Sequence, residues 1–276
     1  MNAILTIARL TWIEARRRRI VLAALICGVL FLAVFGTAIY FIPPRNLDGP
    51  NPLMARAQLQ VLMLAGFYVV NFLVVAFAVM LPVDAVSGEI ASGVMQTLAS
   101  KPVRRVDILL GKWLVFWLML AGYLLFMVGG LVGLMWFLKG FLMRNPFPAV
   151  GLMQLEASVL LSITIAGGVR FSTVTNGIVA FGFYALAFIG GWIEQIGVMV
   201  GNAASRYIGT AISLVSPGDA LSRLAMHGLT PSVLSQVQAN PFTSLSVPSM
   251  AMVWWSVAYI VAVLALATRG FQRRAL

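Results

Sequence analysis

The sequence predicts an all-α integral membrane protein: a bundle of six transmembrane helices, preceded by an amino-terminal interfacial helix and interrupted by a helix in the loop between spans two and three. Three observations carry this prediction. Of 276 residues, 61% are hydrophobic and only 10% are charged, whereas soluble domains are about 45–50% apolar and about 25% charged. Six apolar runs approach or exceed the roughly 20 helical residues that cross a hydrocarbon core about 30 Å thick. Finally, 19 Lys and Arg against 8 Asp and Glu give a net charge of +11, and the basic residues are unevenly placed along the chain.

Taken in order, residues 1–19 carry Ile4, Leu5, Ala8 and Trp12 at helical spacing, with Arg9 and Arg16 nearby. That pattern fits a helix lying on the inner leaflet. The run over 20–42 is longer than the roughly 7–15 apolar residues of a signal peptide, so it reads as a span, and its flanking arginines do not make it an export signal. Residues 43–58 are rich in Pro, Asn and Gly and form a turn-rich connector. Spans follow over 59–83, 113–138, 150–169 and 174–193, the last after the tight turn Arg170–Thr173, with a final span over 249–267. The region 194–248 holds Gly197, Gly201, Gly209 and four prolines, and is expected as short helices at, or dipping into, the outer leaflet. The whole of 1–276 forms one membrane domain.

Parity settles the number of spans. The stretch 196–215 is interrupted by Asn202, Ser205 and Arg206, and a seventh span would place one of the two basic ends outside. With six spans and both termini inside, thirteen of the nineteen basic residues are cytoplasmic, among them Arg16, Arg17, Arg18, Arg19, Lys101, Arg104, Arg105 and Lys112. This satisfies the positive-inside rule, and places Arg16–Arg19 and Arg104 at the headgroups. The basic excess is therefore a topology signal for a multi-pass protein of the cell inner (plasma) membrane, not a nucleic-acid footprint. Cys27, the one cysteine, excludes an intrachain disulfide, and His227, the one histidine, excludes a His-cluster metal site. The 14 methionines are core filler in apolar spans. No bound cofactor or metal is expected.

The loop 84–112 is the informative segment. Closing a helical hairpin takes only a few residues, and this loop uses nearly thirty. Glu89 suits a helix start, Lys101 and Pro102 suit a stop, so a helix of about three turns is expected from Ser87 to Ala99. Ile90, Val94 and Leu98 share one stripe, with Glu89, Gly93 and Gln96 off it, and Asp107 can cap the next helix.

These residues carry a family resemblance. Gly88-Glu89, then Gly93-Val94-Met95-Gln96-Thr97-Leu98, then Ser100-Lys101-Pro102-Val103 with Arg105, then Ile108-Leu109-Leu110-Gly111-Lys112 resemble the signature loop of type 2 ABC transporter (ABC-2) permeases, and the six-span plan matches theirs. The resemblance implies a permease subunit, most often of an exporter, that pairs with a second permease, is bathed by membrane lipids, and is driven by two copies of a separate ATPase subunit that consumes the ATP. It makes the 87–99 segment a coupling helix, with Glu89, Gly93, Gln96, Thr97, Leu98, Lys101, Pro102 and Arg105 as its coupling residues. Ser216-Pro217-Gly218-Asp219 followed by Arg223 is similar to an element of permeases linked to multi-copper enzyme maturation, such as the one serving nitrous oxide reductase assembly, although the Asp-to-Arg spacing here is one residue longer.

The chain carries no phosphate-binding G-x-x-x-x-G-K-[ST] loop, G-x-S-x-G elbow or HExxH, so it is not expected to be an enzyme. Two other readings are open at this point. Glu156, seven positions or roughly 10 Å into span four, is costly in a membrane and so marks a possible translocation path or the proton site of a stand-alone carrier. Gly129-x-x-x-Gly133 and Gly197-x-x-x-Gly201 permit close helix contacts, as a non-transporting scaffold or a dimer seam would need.

Overall fold

The computed structural model describes residues 3–16, 18–42, 52–93, 104–143, 145–230 and 246–273. Ten helices occur among them: α1 (Ala3–Arg16), α2 (Arg19–Phe41), α3 (Pro52–Met80), α4 (Ser87–Ala91), α5 (Arg105–Lys139), α6 (Phe147–Gly168), α7 (Thr173–Val200), α8 (Ala203–Val215), α9 (Gly218–Leu229) and α10 (Ala251–Arg273). Six of them (α2, α3 from Arg56 onward, α5, α6, α7 and α10) are long and apolar enough to cross a membrane. Among the described residues there is no strand. Arg18 before span one pairs with Asp84 after span two, and Arg105 at the start of span three bonds to the end of span six, which marks one end of the bundle, here the near end.

The boundaries differ from expectation where charges find partners. Span three starts at Arg105 rather than 113, since Arg105 and Lys112 are both satisfied inside the fold. Span five runs to Val200 rather than 193, carrying Glu194 within the helix, where Arg223 neutralises it. Asp107 does not cap span three. Arg104 holds the N-cap position and Asp107 lies in the first turn, where it still favours the helix dipole.

Span four is the axis. Of its most apolar window 67% is buried, against 11% for span one and 17% for span six, and it packs on spans two, three, five and six and on α9. Lipid tails are as apolar as leucine, so packing and polar bonds hold such a bundle together, not burial alone. Ser158, Ser162 and Thr164 return their hydroxyls to carbonyls one turn back at 2.6–2.8 Å, which satisfies them within the helix. Trp113 of span three then donates to Ser162 Oγ at 2.9 Å, Gln154 donates to the Trp117 carbonyl at 3.2 Å, and Tyr123 donates to Ala24 of span one at 3.1 Å. At the far end, Lys139 donates to the Ile42 carbonyl at 2.6 Å.

The helix expected over 1–19 is α1, and it ends at Arg16. Thr11 and Ala15 are buried on the side packed against span three. Leu5, Trp12 and Ile13 are exposed together with Arg9 and Arg16, a mixed face of apolar and basic side chains.

The region after span five forms two helices. Gly201, at φ 72°, closes α7 in the left-handed region that glycine adopts without strain, and Asn202 caps α8 by accepting from Ala204 N at 3.0 Å and Ser205 N at 3.4 Å. A Cβ on Gly197 would press on Ser205 and the backbone of Arg206, whereas one on Gly129 or Gly133 would meet nothing within 4 Å. The Gly197/Gly201 pair is thus spent on an internal hairpin, which corrects the expectation of a seam with another chain.

Candidate functional site

The site begins where span two ends. Pro82 biases the residue before it away from helix, and the chain leaves α3 through turns closed by Ala85 N to Pro82 O at 3.0 Å and Gly88 N to Asp84 O at 3.0 Å. The short α4 follows, with Glu89 in its first turn. It does not continue to Ala99: Gly93 stands at φ 76°, left-handed backbone that stops an α-helix. The three-turn helix expected from Ser87 is therefore corrected to Ser87–Ala91. Val94, Gln96, Thr97, Leu98, Lys101 and Pro102 lie outside the described residues, as does Arg17.

The root of this segment is tied to the spans around it. Asp84 accepts from Thr173 at the start of span five at 3.1 Å and faces Arg18, just before span one, at 3.7 Å. Ser87 Oγ bonds Thr173 Oγ1 at 2.9 Å and the Val83 carbonyl at 3.0 Å. Asn176, buried in span five, donates to Val83 O at 3.1 Å and to Thr164 O of span four at 2.9 Å. Lys112 of span three, 3% exposed, donates to Ala85 O at 3.0 Å and forms an ion pair with Glu89. Arg105 donates to the Phe271 and Gln272 carbonyls at 2.8 and 3.4 Å and lies over the Phe271 ring, which joins span three to the end of span six.

The geometry revises two roles. Glu89 was expected to face a partner, yet its carboxylate turns inward onto Lys112, its side chain only 12% exposed. Arg105 acts within the fold as a clamp on span six. Of the headgroup arginines, Arg16, Arg19 and Arg104 are exposed, whereas Arg18 turns aside to Glu14 at 2.6 Å and to Asp84. Lys112, which the sequence presents as one more topology charge, is the buried anchor. Its signal was its position, one helical turn inside a long apolar run.

Glu156 sits far from this root. It is fully buried, Asn71 of span two faces it, and a Cβ on Gly218 at the start of α9 would lie 3.8 Å from its carboxyl. Among the described residues neither carboxyl oxygen has a hydrogen-bond partner. Above it, Arg223 of α9 binds Asp219 at 2.8 Å and Glu194 of span five at 2.9 Å. Burial raises the Asp219 carboxyl to about 6, with Arg223 pulling it down and Glu194 pushing it up.

Among the described residues no group of three or more His, Cys, Asp or Glu could hold a metal ion. A comparison with curated protein sequences finds no match. A family model described as ABC-2 family transporter protein matches residues 5–276, nearly the whole chain, and the protein therefore belongs to the ABC-2 family of transporter membrane proteins.

Proposed function

We propose that this chain is the permease subunit of an ABC exporter, working as a pair of permeases in the plasma membrane with both termini cytoplasmic. The force comes from two copies of a separate ATPase subunit pressing on the 84–112 segment. The observation that carries the reading is the anchorage of that segment's root. Residues 83–89 bond directly to Arg18, Lys112, Thr173 and Asn176, and Asn176 passes the link on to span four. A push on α4 thus reaches spans one to five together, and Arg105 carries it to span six. Packed cores are bistable rather than continuously deformable, so a small local shift is converted into rigid-body rocking of the spans.

Within this mechanism Ala91 and Ser92, both exposed, together with residues 94–103, form the docking surface, and the Glu89–Lys112 pair is the joint behind it. Asp219 and Arg223, which belong to the likeness to copper-enzyme maturation permeases, have a structural use here in the ion cluster with Glu194, which by itself implies no copper. A stand-alone carrier would leave the many bonds at the loop root without a purpose.

The test is affinity purification from mild detergent. A nucleotide-binding subunit arriving in equal stoichiometry with the permease supports the reading. A permease that purifies alone and takes up substrate on a proton gradient contradicts it.

A further inference from the structure

A second feature lies at the far end of the bundle. A cavity of about 610 Å³ opens between α8, α9 and the first turns of span six, within the roughly 300–1,000 Å³ range of small-molecule sites. Its floor is charged and its walls are apolar. Glu194 and Arg223 line the floor and Trp254 and Trp255 line the wall.

The floor is not neutral. Arg223 is 5% exposed and each nitrogen of its guanidinium donates a hydrogen bond, Nε to Asp219, Nη2 to Glu194, and Nη1 to the Ser246 carbonyl at 3.2 Å. Two carboxylates therefore share one cation, which leaves an excess negative charge beside the cavity. Buried charge is expensive unless it is paired. Ser213 adds a second demand: it is 1% exposed, lines the cavity, and among the described residues its hydroxyl has no partner. A lipid tail in this space would answer neither. The wall supplies the complement, since Trp254 is 76% exposed and indole faces attract cations. Trp255 is held in place by donating to the Leu214 carbonyl at 3.0 Å.

We propose that this cavity binds an amphipathic organic cation, its ammonium head set against Glu194, Ser213 and the indole face of Trp254 and its apolar tail lying along Trp255 towards the lipid. An anionic head would meet the excess negative charge of the two carboxylates. The site is independent of the ATPase reading, because it needs only the single chain.

The source of the ammonium group is either an aminophospholipid headgroup or a free amphiphile, and one experiment separates them. Full-length protein in maltoside micelles is titrated with radiolabelled dodecyltrimethylammonium by equilibrium dialysis, with dodecanol and dodecyl sulfate as the neutral and anionic controls. Saturable binding of the cation alone is expected, weakened about tenfold by Trp254→Ala, the order of a lost desolvated cation–π contact, and more strongly by Glu194→Gln. Trp254→Ala alters an exposed side chain, so it decides the matter even if Glu194→Gln does not fold. Displacement of the probe by added phosphatidylethanolamine identifies the lipid headgroup as ligand, and failure to displace it identifies the free amphiphile. Equal binding of dodecanol or dodecyl sulfate, or cation binding unchanged in Trp254→Ala, overturns the proposal.

Discussion

Lys112 of span three and Glu89 of α4 form an ion pair, with side chains 4% and 12% exposed, in which the lysine also holds the Ala85 carbonyl. One cation thereby closes the turn that leaves span two and fixes the short helix after it. The pair is costly to half-remove, because among the described residues the second Glu89 oxygen already lacks a partner.

Breaking it should therefore cost more than deleting it. Lys112→Met leaves a buried carboxylate unpaired, a loss of about 3–5 kcal/mol, whereas replacing both partners by apolar residues is often near neutral. Thermal unfolding in detergent should show a large drop in Tm for Lys112→Met and recovery in Lys112→Met/Glu89→Leu. Equal drops in the two variants would contradict the inward placement of Glu89.

Arg105 makes a different kind of contact. Its guanidinium bonds to the Phe271 and Gln272 carbonyls, so Arg105→Ala should free the last turn of span six at a cost of about 1.5–3 kcal/mol, the range for hydrogen bonds to charged groups. Hydrogen exchange at residues 268–273 should speed up while exchange in the middle of span six stays unchanged. Unaltered exchange at those residues would remove Arg105 from the role of clamp.

Close approach sets the third expectation. A Cβ on Gly209 would meet the Glu194 backbone, with its Cα and N at 2.8 Å, and backbone cannot rotate away. Gly209→Ala should lower stability by roughly 1–3 kcal/mol, the usual cost of overpacking. Gly129→Ala, which meets nothing, should leave the Tm of the single chain unchanged, and if Gly129 and Gly133 form a seam with a second permease, it should weaken pairing measured by cross-linking.

The Asp219 carboxyl gives a pH dependence of defined sign. Its folded value of about 6 lies above the ordinary 3.8, so the fold favours the protonated form. Its contribution to stability is complete below about pH 4 and is lost as pH rises through about 6. The difference in Tm between Asp219→Asn and wild type should accordingly shift in favour of the variant as pH rises from 4 to 7. A difference that stays flat over this range would show that burial does not act on this group as described.

The spans were legible because length and apolarity are properties of a single stretch of chain. Their ends were less so, because Glu194 and Lys112 look like terminators until their partners are known, and Arg223 lies 29 positions from Glu194 while Glu89 lies 23 from Lys112. The Asp219–Arg223 pair, one helical turn apart, could be read from spacing; its link to Glu194 could not. The length of the helix after Ser87 was overestimated because Gly93 carries no side-chain signal, and its left-handed backbone appears only in three dimensions. Glu89 was assigned the wrong direction for a related reason: an amphipathic stripe shows which residues share a face, not what that face touches.

The most direct test of the central claim is site-specific photo-cross-linking from Ala91 and Ser92, the exposed residues beside the anchored root. In intact cells, a photoreactive residue at either position should form an adduct with a cytoplasmic nucleotide-binding protein, and ATP trapping should change its yield. Adducts with proteins of the opposite compartment only, or with none that binds nucleotide, would contradict the account.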